Sequence, residues 1–465
     1  MPQKKESFCV LVLAAGKGTR MHSRTPKVLQ TLLDKPLIHY LLAAVENAEV
    51  ENVAVMLGFC GEKVEEWLGT TYKNVDVLWQ REQLGTGHAV KLAQSWWKEY
   101  KNILILPGDT PLITASTLKL FLEQHIASDN KCSFLSFDTL EPTGYGRVIR
   151  FGDKVKVVEE KDATDLQRQC HEVNSGMYAF NTEFLFKVID KLTCKNAQKE
   201  YYLPDVLTLI QENNGKVDAI KTTDSNEFLG VNDPTQLAEA TLIMRNRILK
   251  KWMLAGVRFM DPSTTWIGPD VKLGNDIVLE PNVQLWGSTT IGSGSRIGSF
   301  TVLNNVQIGD NVSIIGSTRI NNSYVRDNST IGPYAFIREG TELMDNVHVG
   351  RFVEIKNSHV SKGTKIPHLS YIGDSEIGEN TNIGAGTITA NYDGEKKNGT
   401  IIGNNCFIGS DTIFIAPIKV GNNAMTAAGS TITKDVPEGS LAISRGKQRI
   451  IEEWYARKKK QYGGK

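Results

Sequence analysis

From Trp266 onward, an aliphatic residue recurs at every sixth position: Ile267, Leu273, Leu279, Leu285, Ile291 and Ile297. After a short slip the same period returns at Val325, Ile331, Ile337, Leu343, Val349 and Ile355. A strict period of six does not match the ~3.6 residues of a helical turn. It is the repeat of a parallel β-helix, in which six residues build one short side of a triangular coil and the aliphatic points inward. Stacked coils then bury a continuous apolar column. Many of the aliphatics are followed by glycine, and small or β-branched residues such as Val271, Ile277, Thr301 and Ala335 fill the fifth position. The segment 391–399 interrupts the late repeats, and an insertion on a solenoid often lies at its binding face.

Up to about Asn226 a different grammar holds. Short β-rich runs at 9–13, 53–57 and 103–106 alternate with helical stretches such as 38–46. Uninterrupted apolar strands between helices imply a mainly parallel sheet covered on both faces. Residues 235–251 have helical spacing and read as a helix closing this half. The expected organisation is an α/β domain over 1–232, a linker helix over 233–254, and a β-helix with a basic tail over 255–465. A chain of 465 residues has room for such an arrangement, since a domain usually takes ~100–200.

Charge and cysteine usage narrow the function by exclusion. Lys plus Arg number 53 against 52 Asp plus Glu, a net charge of +1, which argues against a protein that coats nucleic acid or an anionic membrane. No apolar run approaches the ~20 residues of a membrane span. Lys4 and Lys5 before the apolar stretch 8–15 faintly imitate a signal peptide, but that stretch runs straight into Gly16. A buried strand entering a glycine loop explains it better. The six cysteines (9, 60, 132, 170, 194 and 406) are scattered without a C-x-x-C pair, as reduced thiols of a cytoplasmic protein would be.

The loop Leu13-Ala14-Ala15-Gly16-Lys17-Gly18-Thr19-Arg20-Met21 follows the first apolar run directly. It lacks the third glycine of a dinucleotide fingerprint and the G-K-[ST] ending of a P-loop. Its physics is related: glycines let backbone N–H groups approach phosphates, and Lys17, Arg20 and Lys27 supply charge. Alone, a glycine turn after a strand is weak evidence. With Pro26-Lys27 behind it, the loop resembles the signature of the sugar-nucleotide pyrophosphorylases. Further matches follow in family order: Gln80 with Gln83-Leu84-Gly85-Thr86-Gly87, Gly108-Asp109, Gly144-Tyr145-Gly146-Arg147, Glu159 with Lys161, Asn174-Ser175-Gly176 and Gly230-Val231-Asn232. Together with the hexapeptide half, nearly the full length resembles the bacterial bifunctional N-acetylglucosamine-1-phosphate uridylyltransferases and glucosamine-1-phosphate acetyltransferases.

The resemblance implies a Rossmann-like nucleotidyltransferase followed by a left-handed coil, an exception to the right-handed crossover rule. It implies that Leu13, Ala14, Ala15, Gly16, Gln80, Gly85 and Thr86 hold uridine and its phosphates, and that Lys27 neutralises the phosphates. By the same resemblance Gly146, Glu159 and Asn174 grip the amino sugar, while Asp109, after Gly108, and Asn232 ligate Mg²⁺. The implied reaction is in-line attack of a sugar-1-phosphate oxygen on the α-phosphorus of UTP, releasing pyrophosphate. Pro107 departs from the family, where Tyr or Ser is frequent. Read without the resemblance, Asp109 is a turn former in Gly-Asp-Thr-Pro and Asn232 a helix N-cap before Asp233-Pro234.

In the hexapeptide half, polar residues break the pattern where a scaffold has no need of them. Arg338 and Lys356 each follow a core aliphatic and lie eighteen residues apart, one full coil. Side chains one coil apart stack ~4.8 Å from each other. Two cations so placed repel unless an anion lies between them, and the resemblance assigns that place to a sugar phosphate. His368 and Tyr371 read as lying outside the six-residue register. The resemblance makes His368 the general base that takes a proton from the amine of glucosamine-1-phosphate as it attacks acetyl-CoA, a task suited to a side chain that titrates near neutral pH. It further implies substrate contacts for Tyr371 and Asn382, and an acetyl-CoA groove along Ala385, Asn391, Tyr392, Ser410, Ala428 and Arg445. Backbone N–H groups or side chains near Asn391 and Ser410 are candidate oxyanion donors. The tail from Arg445 carries eight Lys/Arg against two Glu; its Arg457–Lys460 run reads equally as a contact for coenzyme A phosphates or as a solvated helix end.

The implied partners are glucosamine-1-phosphate, acetyl-CoA, UTP and N-acetylglucosamine-1-phosphate, with a homotrimer to create the grooves and no nucleic acid or membrane. The product, UDP-N-acetylglucosamine, is a precursor of peptidoglycan and lipopolysaccharide. The rival reading is a monofunctional sugar-1-phosphate nucleotidylyltransferase with the β-helix as an inert assembly device. Arg338, Lys356, His368 and Tyr371 together argue against it.

Overall fold

The structure is a computed structural model that describes residues 5–462. The chain divides into two compact units after Asn246.

The first unit is built on a sheet whose main path runs, edge to edge, through Val217–Lys221, Cys132–Asp138, Glu172–Asn181, Tyr100–Pro107, Lys5–Ala14, Asn52–Leu57 and Val75–Trp79. Every neighbouring pair is parallel except those made by Glu172–Asn181, which runs antiparallel to both of its neighbours. The first strand shows why its sequence is apolar without interruption. Cys9 and Leu11 enter the core on one side of the sheet, Val10 and Val12 the core on the other, and all four are fully buried. Helix Leu37–Asn47 covers the second of these cores with Ile38, Leu41, Leu42 and Val45. Register places Leu13 opposite Pro107, so the carboxyl ends of two central strands open side by side, where ligands of open α/β sheets bind.

Helix Pro234–Leu254 starts on Asp233, not on Asn232, which the residues read without the resemblance offered as its cap. Asp233 Oδ1 accepts from the N–H groups of Thr235 and Gln236, both at 2.9 Å, with Pro234 at the first helical position. Asp233 therefore caps the helix, and the Asn232 side chain is released for other work. The division between the units falls inside this helix: Leu237 and Ala240 pack in the first unit, Leu249 in the core of the second.

The second unit is a stack of short parallel strands in two long ladders of 11 and 17 members. Each coil lies one triangular turn above the last, as in Ile267 opposite Leu285 and Ile337 opposite Ile355. The six-residue aliphatics form one column from Ile267 to Ile432, buried throughout except Leu273, which is half-buried. The slip has a structural cause. Strands Val302–Ile308 and Arg319–Val325 each run through a corner, so five residues separate Leu303 from Ile308 and Ile320 from Val325. These two strands pair with each other on both sides of the corner, and each also pairs with a coil that keeps the six-residue spacing, Ile291 opposite Ile308 and Val325 opposite Leu343, so the dropped residue is absorbed at the corner itself. The six cysteines are free thiols, and no helix among the described residues is long and apolar enough to cross a membrane.

Candidate functional site

At the carboxyl ends of the central strands of the first unit lies a cavity of about 540 Å³. The glycine loop forms one wall through Leu13, Ala14, Ala15, Gly16 and Lys17, and Lys27, Gln80, Gly85, Thr86, Asp109, Glu159 and Asn174 are among the cavity's other lining residues. Arg20 lies outside this lining, so two of the three expected loop cations face the cavity. Gly108 explains how the loop and Asp109 come so close. Its N–H donates to Leu13 O at 2.9 Å, and a Cβ there would stand 3.0 Å from that oxygen and 3.3 Å from Ala14 Cβ.

Two oxygen groups converge on one cation at this wall. The Lys27 ammonium donates to Asp109 Oδ2 and, at 3.1 Å, to Asn232 Oδ1. Asn232 is itself fixed, its Nδ2 donating to Gly230 O at 3.3 Å and its backbone N–H to Gln236 Oε1 at 2.8 Å. Asn232 does not line the cavity; it reaches the site through Lys27.

The opposite end is shaped by the segment around Tyr201. Gly85 has a φ of +104°, and a Cβ on it would lie 2.6 Å from Tyr201 O, so only glycine fits. Thr86 Oγ1 accepts from the Leu203 N–H at 3.1 Å, which ties its hydroxyl to the wall. Gly146 stands behind Glu159 rather than in the lining, where an added Cβ would meet Val157 at 2.8 Å and the Glu159 carboxyl at 3.6 Å. Tyr178, Glu200 and Phe59 also line the cavity, and nothing in the motif spacing pointed to them.

Glu159 is the electrostatic oddity here. Burial, with Asp205, Asp162 and Glu200 nearby, pushes its carboxyl up to about 7. Between its ordinary value of 4.5 and about 7, the folded chain therefore holds a proton that the unfolded chain has lost. Stability contributed by this site falls as pH rises through that window. In Glu159→Gln the slope of the denaturant midpoint against pH should flatten across the same window; an unchanged slope would place the buried proton elsewhere.

In the second unit the structure sorts the candidate residues into two columns. Arg338 and Lys356 occupy equivalent places on adjacent coils, since Ile337 pairs with Ile355 and the Arg338 N–H donates to Ile355 O at 2.8 Å. Carboxylates of the chain itself reach both cations. Glu339 Oε1 lies 3.5 Å from Arg338 and 3.7 Å from Lys356, and Glu354 takes Arg338 Nη1 at 2.8 Å. The next coil places Gly373 opposite Lys356, and a Cβ there would stand 2.6 Å from both Tyr371 Oη and Asn391 Nδ2. Asn391 also donates to Asp374, while Tyr392 is exposed beside it.

His368 and Tyr371 stand inside the regular coil, contrary to the expected break in register. Ile366 and Ile372 are both core residues, six apart, and His368 pairs with Arg351 and Tyr371 with Glu354 on the coil before. The count misled because only five residues separate Ile355 from Val360. His368 is exposed and heads the second column. Lys365 pairs with Asn382, Ile383 with Ile408 and Ile408 with Thr426, which places His368, Ala385, Ser410 and Ala428 at the same position of four successive coils. Three small residues thus pave a strip behind the histidine, and Arg445 Nη1 bonds Ala428 O at 3.0 Å at its far end. Among the described residues, no hydrogen bond or ion pair joins His368 to Arg338 or Lys356. The Arg457–Lys460 run lies on the exposed helix Trp454–Tyr462.

Residues 9–253 match the family model for nucleotidyl transferases, and residues 399–434 match the bacterial transferase hexapeptide model of six repeats. Among curated relatives, the Bifunctional protein GlmU of Carboxydothermus hydrogenoformans is 46% identical over 96% of this chain and 99% of its own length. The proteins of the same name from Streptomyces coelicolor and Staphylococcus haemolyticus are 43% and 45% identical, over 97% and 96% of this chain and 94% and 99% of their own lengths.

Proposed function

Because the chain belongs to the family of bifunctional GlmU proteins, we propose that its two units catalyse consecutive steps towards UDP-N-acetylglucosamine. The second unit acetylates glucosamine-1-phosphate with acetyl-CoA. The first joins UMP from UTP to the N-acetylglucosamine-1-phosphate so formed. The observation that carries this reading is that each unit holds its own set of chemical groups: a cation and two oxygen ligands at the mouth of a nucleotide-sized cavity, and a histidine at the head of a paved strip.

In the first unit, Lys27 and the backbone of Leu13 to Gly16 hold the triphosphate, Gln80, Gly85 and Thr86 the uridine, and Gly146, Glu159 and Asn174 the sugar. The sugar-1-phosphate oxygen attacks the α-phosphorus, and the bond to pyrophosphate breaks. Catalysis is then mainly positioning and charge neutralisation. A Mg²⁺ ion fits the donor set, because one carboxylate and one amide oxygen already share a positive centre, the Lys27 ammonium. Among the described residues no cluster of three His, Cys, Asp or Glu could cage a metal, and Mg²⁺ beside phosphates takes only one or two protein ligands. Asp109 and Asn232 would hold it, and when bound it supplies neutralisation of the triphosphate charge.

In the second unit, His368 accepts a proton from the amine of glucosamine-1-phosphate as nitrogen attacks the thioester carbonyl. The tetrahedral centre then collapses, and the coenzyme A thiolate leaves. Arg338 and Lys356 anchor the sugar phosphate and Tyr371 and Asn382 its ring. Ala385, Ser410 and Ala428 give the pantetheine arm a smooth floor, with Asn391, Tyr392 and Arg445 beside it. A homotrimer in the cytoplasm completes the reading, since side-by-side coils would close the open strip into a groove. Incubation of the pure protein with glucosamine-1-phosphate, acetyl-CoA, UTP and Mg²⁺ tests the reading. UDP-N-acetylglucosamine and pyrophosphate are the expected products. Omitting acetyl-CoA should stop both steps, and omitting UTP or Mg²⁺ should stop at N-acetylglucosamine-1-phosphate. Uridylyl transfer from ready-made N-acetylglucosamine-1-phosphate without any acetylation would favour the monofunctional reading.

A further inference from the structure

The base-reading end of the cavity holds a pair of side chains whose hydrogen bonds leave one choice of ligand polarity. Gln80 is almost fully buried at the end of the strand pair, with its backbone N–H on Leu57 O at 2.8 Å. Its Nε2 lies 3.0 Å from Gly85 O and 3.1 Å from His88 Nδ1. A carbonyl oxygen only accepts, so the amide atom facing Gly85 is the nitrogen, and one of its two hydrogens is spent there. The other points to His88, which therefore presents Nδ1 as an acceptor and carries its proton on Nε2. Both donors of the amide are thus consumed by the protein. Oε1 has no partner among the described residues and belongs to a side chain that lines the cavity.

We propose that His88 is a positioning residue that locks the Gln80 amide with its oxygen towards the nucleotide, so that the cavity selects a base whose ring nitrogen carries a hydrogen. This inference rests on the reading that Gln80 contacts the base. Uracil offers N3–H between two carbonyls and donates to Oε1. Cytosine has the same size and shape but offers a bare N3 lone pair, which faces another acceptor and loses its hydrogen bond. An amide turned the other way would prefer cytosine, so the discrimination depends on what prevents the turn. Gly85 O holds one hydrogen, and its position is set by the tight φ of +104° beside Tyr201 O. His88 sits in the first turn of helix Thr86–Leu92, near the Tyr201 ring with centroids 6.2 Å apart, and supplies the second hold.

The test compares UTP with CTP in uridylyl or cytidylyl transfer to N-acetylglucosamine-1-phosphate, using the full-length protein and the variants His88→Leu, His88→Asn and Gln80→Leu. In His88→Leu the ratio of kcat/KM for UTP over CTP should fall by about tenfold or more, chiefly through a higher KM for UTP, with kcat at saturating UTP little changed. His88→Asn, whose Oδ1 can stand where Nδ1 stood and accept the same hydrogen, should restore most of that ratio. A purely structural role predicts equal losses for both nucleotides and no rescue by Asn, and that result would overturn the proposal. So would an unchanged ratio in His88→Leu, provided Gln80→Leu loses it. If Gln80→Leu also keeps the full preference, the assignment of Gln80 to the base falls first and takes this inference with it. Acetyl transfer in each variant reports whether the chain has folded.

Discussion

Asp109→Ala should lose uridylyl transfer by well over ~10²-fold while acetyl transfer continues at its normal rate. Asp109 supplies a carboxylate at the wall where Lys27 and Asn232 meet, the anionic ligand of the proposed metal site. Without it, a metal there would have a single neutral amide oxygen, and the triphosphate would meet an unbalanced ammonium instead of an ordered cation site. The change is small for the fold, because the backbone carbonyl of Asp109 keeps the Val231 N–H at 2.9 Å whatever the side chain. Steady-state rates of both half-reactions measure it, and Mn²⁺ binding followed by electron paramagnetic resonance gives a readout independent of turnover. Near-normal uridylyl transfer, or unchanged Mn²⁺ affinity, would remove Asp109 from the metal site.

His368→Ala should reduce acetyl transfer by ~10²–10⁴-fold, the usual cost of losing a general base, and leave uridylyl transfer from N-acetylglucosamine-1-phosphate unchanged. Each unit buries its own core, the first around its sheet and the second along the aliphatic column, so a change on an exposed coil position need not disturb the other. His368 is exposed and its side chain carries no packing that the column depends on. Raising the pH should recover part of the lost rate, because the substrate amine then reaches the thioester already deprotonated. Acetylation that persists at neutral pH in the variant would reduce His368 to a surface residue, and loss of both activities in a folded protein would mean that the units are coupled.

How much of this was legible beforehand differs between the two halves. In the first unit the motifs lead to one cavity: eleven of the fourteen nucleotide-sugar candidates line it, and Gly108, Gly146 and Asn232 stand directly behind it. The motifs converge here because glycine loops and strand ends bring local segments to one edge of the sheet. They failed for Tyr178 and Glu200, which reach the cavity from a strand and a loop with no fixed spacing from any motif. They also left two roles open for Asn232, metal ligand or helix cap, because Asn232 and Asp233 are both good caps and only the hydrogen bonds give that place to Asp233.

The sequence by itself determined the coil, since a buried aliphatic at every sixth residue is a local requirement repeated, and each repeat satisfies it against identical neighbours. The eighteen-residue spacing also put Arg338 and Lys356 in one column, but only the tertiary structure decided which residues share the column of His368. The insertion at 391–399 places Ile408 twenty-five residues after Ile383, so counting by six or eighteen does not carry His368 and Ala385 on to Ser410 and Ala428. Likewise Glu339 lies between Arg338 and Lys356, and His88 consumes a hydrogen of Gln80, without any pattern announcing it. Burial is set by how often an apolar residue recurs along the chain. Recognition is set by the direction of single hydrogen bonds and the sign of single charges, and those depend on neighbours that the chain brings together only when it folds.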